Sequence, residues 1–132
     1  MEKNFALKVT TNLPYEEAKQ RVTALLKDEG FGILTEIDMK DTMHKKLGKV
    51  FKKYTILGAC NPPFAFKTLS ADELIGVFLP CNVIVYEEGE GSVVAAMNPS
   101  MMSDLFDNEE IRDVGNQVTE IMKRVLEQIE TE

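Results

Sequence analysis

The chain predicts an α+β domain in which a mainly antiparallel sheet packs against two longer amphipathic helices, with short helices as connections. Three features predict it. Segments opening at Pro14 and near Asp107 or Asn108 carry apolar residues at helical spacing on one face only. Two β-rich runs, Cys81 to Glu87 and Ser92 to Met97, are separated by Glu88-Gly89-Glu90-Gly91, whose glycines allow the positive φ that a tight hairpin, and therefore antiparallel pairing, needs. Helices that are apolar on one side must bury that side, and a sheet face is the economical partner. No linker, repeat or low-complexity stretch divides the sequence, so residues 1–132 are expected to form a single domain.

The elements follow in order. Phe5 to Thr10 alternates apolar and polar residues as a strand does. Pro14 suits the first helical position, Glu16 and Glu17 favour the positive end of the helix dipole, and Tyr15, Ala18, Val22, Leu25 and Leu26 share a face. Gly30 supplies the stop. Phe31, Ile33, Thr35 and Ile37 then alternate with their neighbours as a returning strand. Asp38 can cap a short helix with Met39, Met43 and Leu47 as its stripe, ended by Gly48. Tyr54 to Cys60, apolar on both sides, is expected in the sheet interior. Asn61-Pro62 is a cap followed by a first-turn proline, opening a helix to about Leu69, with a further turn from Asp72 to Gly76. After Asn98-Pro99 an irregular Met101-Met102 stretch leads into the last helix, where Ile111, Val114, Val118, Ile121, Met122, Val125 and Ile129 recur at helical spacing.

Composition bounds function. With 44% hydrophobic and 28% charged residues, a chain of this length buries enough surface to fold without disulfides or metals. Met1 to Phe5 lacks an apolar stretch before a small-residue cleavage site, and no apolar run approaches a membrane span, so a cytoplasmic protein with reduced thiols and no membrane partner is expected. A net charge of -7 opposes nucleic-acid binding, which draws its affinity from lysine and arginine. The charge is uneven: Lys40, Lys45, Lys46, Lys49, Lys52 and Lys53 cluster beside Asp41 alone, while the remainder of the chain is acidic. Lys45, Lys46 and Lys49 are candidate anion contacts, or simply a solvated face.

Two Cys-Asn dipeptides, Cys60-Asn61 and Cys81-Asn82, each stand where a strand meets another element. These four residues are the candidate ligand or thiol site. If the two strands are antiparallel neighbours the thiols approach each other; a parallel crossover would separate them. The functional readings are a small-ligand pocket, a redox or reactive thiol, or a soft-metal pair with His44 or the thioethers of Met97, Met101 and Met102 as further donors. The structural reading makes the cysteines small buried apolar residues and the asparagines caps or turn formers. No spacing matches a short metal motif, so no metal ligand set and no cofactor is expected. No phosphate loop, nucleophilic serine motif, metalloprotease motif or carboxylate pair marks an enzyme, and whether the domain catalyses anything is left open.

The blocks Tyr54-Thr55-Ile56-Leu57-Gly58-Ala59-Cys60-Asn61-Pro62 and Gly76-Val77-Phe78-Leu79-Pro80-Cys81-Asn82-Val83-Ile84-Val85-Tyr86-Glu87 resemble the central signature of the domain-of-unknown-function family numbered 302. The resemblance spans roughly residues 15 to 130. It implies an α+β domain with an antiparallel sheet and a homodimer, and it implies no reaction. Members often carry Asp-Pro after the last strand where this chain has Asn98-Pro99, so no role of that carboxylate carries over. The expectation is a non-enzymatic module that binds a small molecule or associates with itself; the alternative is a redox or soft-metal protein using Cys60 and Cys81.

Overall fold

The computed structural model describes residues 5–132; Met1 to Asn4, on which part of the expectation about a secretory signal rests, lie outside the described residues. Five strands, β1 (Ala6–Thr11), β2 (Gly32–Asp38), β3 (Tyr54–Cys60), β4 (Cys81–Glu88) and β5 (Gly91–Met97), form one sheet in the order β1-β5-β4-β3-β2. Every neighbouring pair is antiparallel. The predicted α+β class is therefore the observed one. β3 is interior as its two apolar faces require, although the middle strand is β4.

Helices α1 (Tyr15–Asp28) and α5 (Glu109–Glu130) lie on the same face of this sheet. The reason is in the strand alternation: Leu7 and Val9 of β1, Leu57 and Ala59 of β3, Val83 and Val85 of β4, and Val94 and Ala96 of β5 all point to that side. Against them α1 sets Ala18, Val22 and Leu26, and α5 sets Val118, Met122, Val125 and Ile129. Each such aliphatic side chain contributes about 1.5–3 kcal/mol on full burial. The Tyr15 hydroxyl and the Thr55 hydroxyl share a buried hydrogen bond that ties the first turn of α1 to β3. The Ser92 hydroxyl donates to the Leu13 carbonyl at 2.8 Å and closes the β1–α1 link onto β5.

Four connecting elements complete the chain: α2 (Met39–Leu47), α3 (Pro62–Ala71), a 3-10 turn (Glu73–Phe78) and α4 (Ser100–Ser103). Asp38 caps α2 through the Asp41 amide, and Gly48 ends it with φ 64, as the sequence predicts. The Met39–Met43–Leu47 stripe does not become core, however, because no residue of α2 is buried and Leu47 is 65% exposed. This short helix juts from the end of the β2–β3 pair, with no layer above it to accept the stripe.

Two further expectations change. β2 does not present one apolar face: a register shift between Ile33 and Thr35 turns Ile33 toward the helices, while Thr35 and Ile37 face the opposite side, opposite Gly58 and Ile56. In the β4–β5 turn only Gly89 takes a positive φ, of 60. Gly91 serves a different purpose, since a Cβ there would lie 2.3 Å from the Thr11 carbonyl oxygen; the missing side chain lets the β1–α1 link pass over the hairpin. Gly58 makes a similar close approach, with Thr35 and the ring of Pro80 occupying the space of a side chain.

Candidate functional site

The antiparallel ladder between β3 and β4 sets Ala59 directly opposite Cys81. The last residue of β3 and the first of β4 thus share one end of the sheet, and the strand geometry places the Cα atoms of Cys60 and Cys81 roughly 6 Å apart. Of the two arrangements open to the sequence, the structure has the one that brings the cysteines together. Both are free thiols.

Directly beyond Cys60 the chain turns into α3, and Asn61 makes that turn possible. Its side-chain oxygen accepts from the Phe64 amide at 3.2 Å, and Pro62 and Pro63 follow in the first turn, where their missing N–H groups cost nothing. The Asn61 amide nitrogen fills the space that a side chain on Gly30 would need, at 3.0 Å, so the end of α1 and the start of α3 interlock. The Leu79–Pro80 peptide, which is cis, brings the chain back into β4 at Cys81.

Cys60, Asn61 and Cys81 border one cavity of about 50 Å³ at this end of the sheet. Phe64, Ala65 and Thr68 of α3 form one wall; Ile111, Val114 and Val118, the first turns of α5, form another; Ile75, Pro99 and Met102 close the remaining side. None of the lining residues carries a charged side chain. The polar ones are already engaged. The Thr68 hydroxyl donates to the Phe64 and Ala65 carbonyls at 3.1 and 3.2 Å, and Asn61 is held as a cap. The rest of the lining is apolar, with Cys60, Cys81 and Met102 as its sulfur-bearing residues.

The fourth predicted residue does not join them. Asn82 lies opposite Gly58 on the sheet face away from the helices, and is exposed. The candidate anion contacts Lys45, Lys46 and Lys49 also stand apart: β2 pairs Gly32 with Cys60, and α2 starts seven residues further along, roughly 23 Å away. All three lysines are exposed, and Lys45 pairs with Asp41 at 2.9 Å. His44 sits on the same exposed helix, so Cys60, Cys81 and His44 form no common site. Among the described residues no group of three histidine, cysteine, aspartate or glutamate side chains could hold a metal ion. Asn98, at the position where the resemblance leads one to look for a carboxylate, is buried and accepts from the Ser100 amide and hydroxyl at 3.2 and 2.7 Å, organising the turn into α4.

Thr68 and the α5 residues were not singled out by sequence, and Met102 was considered only as a further thioether donor beside the cysteines. Ile111, Val114 and Val118 belong to the same stripe as the core residues of α5, and nothing in their spacing marks where core gives way to cavity. The signal available was Met102, one of two adjacent methionines that follow β5.

With this geometry in hand, comparison with known proteins settles the family. A family model described as "Domain of unknown function DUF302" matches residues 7–129. The chain belongs to that family. A solved structure described as an uncharacterized conserved protein DUF302 from Bacillus stearothermophilus is 26% identical, with a TM-score of 0.86 over 95% of this chain and 98% of that one. No functionally curated protein matches the chain. No helix is long and apolar enough to cross a membrane.

The chemistry of the DUF302 cavity follows from its walls. Burial pushes the Cys81 thiol up to about 11, and the neighbouring Cys60 adds to the rise, because a thiolate there would be desolvated and would face a second sulfur. At neutral pH Cys81 is a protonated thiol and a poor nucleophile. The raised value also links stability to pH. Below the ordinary thiol range both folded and unfolded chains hold the proton, and the full stability is present; between about pH 9 and 11 the unfolded chain loses its proton first, so stability falls as pH rises. Comparing denaturant unfolding of the wild type with Cys81→Ser at pH 8 and pH 11 isolates this from tyrosine titration. The wild type should lose on the order of 2 kcal/mol more than the variant, and equal losses would show that Cys81 is not desolvated.

Proposed function

We propose that this DUF302 domain is a non-enzymatic binding module whose cavity at the β3–β4 end takes a small, uncharged ligand. The observation that carries the reading is the cavity itself: a chamber of about 50 Å³ at the strand ends, lined by apolar groups and by polar groups that already have partners. A water needs roughly 10–15 Å³ measured in the same way, so the space corresponds to about four waters, far below the 300–1,000 Å³ of sites for larger organic molecules. A charged ligand would enter without a counter-charge, which burial penalises heavily. No lining residue offers a carboxylate, imidazole or amine for proton transfer, and the Cys81 thiol keeps its proton. Binding is the task such walls support.

Benzene is a suitable probe. Titrated into labelled protein, it should perturb the NMR signals of Ala59, Cys81, Met102 and Val118 together, and Ala65→Phe, which places a ring at the α3 wall, should remove the effect. Shifts scattered over the surface, or unaltered by Ala65→Phe, would count against a ligand chamber.

A specific observation favours self-association as a companion reading. The helices cover one face of the sheet, and on the other Ile56, Ile84 and the stacked rings of Tyr54 and Tyr86, 5.3 Å apart, remain half-exposed. Beside them Ile37 is 45%, Phe51 41% and Val50 91% exposed. A contiguous apolar face of this kind is commonly covered by a partner, and a second copy offers a matching flat surface. Light scattering behind size-exclusion chromatography should give twice the chain mass for the wild type and the single mass for Ile84→Lys. A wild type that stays at the single mass at high concentration rules the homodimer out.

A further inference from the structure

We propose that the arm formed by α2 and the segment after it, residues 39–53, docks on an anionic lipid surface, with its lysines against the headgroups and Leu47 and Val50 between them. This goes beyond the binding reading and does not rest on it, because the arm stands roughly 23 Å from the chamber along β2. The expectation of no membrane partner follows from the lack of an apolar span, which a surface contact does not require.

Burial and charge single out the same stretch. From Met39 to Lys53 no residue is buried, and the turn at Gly48 presents Leu47 and Val50 at 65% and 91% exposure. Six lysines share these residues with Asp41 alone. Lys45 pairs with Asp41 at 2.9 Å, whereas Lys40, Lys46 and Lys49 are exposed and have no ion-pair partner among the described residues. The base of the arm is held in place. The Glu87 carboxylate accepts from the Lys53 amide at 3.1 Å, and the Lys52 ammonium lies 4.8 Å from the centre of the Tyr86 ring. That leaves the cationic tip free to meet a surface.

Charge complementarity selects the partner. Clusters of about four to eight lysines or arginines on an amphipathic helix bind acidic headgroups, and apolar side chains among them add depth to the contact. The arm protrudes, so it can enter a soft interface but offers no groove to a peptide. The net charge of -7 weighs little at the tip. Six of the acidic residues lie on α5, whose strand contacts are with β1 and β5, while α2 packs on β2 and β3 toward the other edge of the sheet. β1 and β2 are the two edge strands, about 19 Å apart, and charges at that distance are screened where the Debye length is about 8 Å.

Sedimentation of the full chain with vesicles tests this, comparing phosphatidylcholine alone with a mixture containing about one-third phosphatidylglycerol at about 0.1 M salt. The wild type should sediment with the mixed vesicles only, and about 1 M salt should release it. Replacing Lys45, Lys46 and Lys49 together by glutamine should lower the partition coefficient about a hundredfold, since each lysine near an anionic surface contributes about fivefold. Leu47→Ser with Val50→Ser should lower it about tenfold or more. Lys27→Gln with Lys67→Gln, which removes two lysines outside the arm, should leave it unchanged. All these side chains are exposed, and circular dichroism checks that each variant keeps the fold. No binding by the wild type, equal binding to both kinds of vesicle, or an equal loss from the lysines outside the arm overturns the proposal. So does a glutamine variant whose mass in solution differs from that of the wild type with no lipid present, because the arm would then be engaged by another protein chain.

Discussion

The β3–β4 ladder is the constraint on which the rest of this structure depends. Its register places Ala59 opposite Cys81, and from that single pairing follow the shared strand end, the position of the Asn61 cap, and the return of the chain through Pro80 above Gly58. A slip of one residue would exchange the two faces, sending Leu57 and Val83 out of the core and closing the chamber. The register is held by its neighbours: Gly58 admits Thr35 and Pro80, and Thr55 bonds Tyr15.

Much of this was legible in the sequence because the local signals agreed with the global fold. Asp38 and Asn61 cap the helices they were expected to cap, the last helix starts beside Asn108 where its apolar spacing begins, and Gly30 and Gly48 follow theirs with positive φ. β3 announced itself by being apolar on both faces. What stayed hidden depended on contacts between distant segments. The β2 bulge leaves no mark on an otherwise regular alternation, and the requirement at Gly91 comes from the Thr11 carbonyl, 80 residues earlier in the chain. The α2 stripe is a local pattern that no other element covers.

The site was half legible for the same reason. Two Cys-Asn pairs at strand ends pointed to one end of the sheet, and three of those four residues border one cavity there. Asn82 diverges because strand alternation sends it to the opposite face from Cys81, a consequence that spacing alone determines once the strand start is known. Met102 and the first turns of α5 could not be placed without the fold. The lysine cluster, the strongest charge feature in the sequence, proves remote from the thiols, which separates any anion contact at α2 from chemistry in the chamber.

The domain thus combines a core formed between one sheet face and two helices with a small, largely apolar chamber at one sheet end. Crystallography under xenon pressure probes that chamber most directly, since xenon enters apolar spaces without a chemical demand of its own. The account predicts a xenon atom in contact with Ala59, Phe64, Ile111 and Val118, between the β3–β4 strand ends and α5. Side chains packed continuously through that position, with no xenon there, would contradict it.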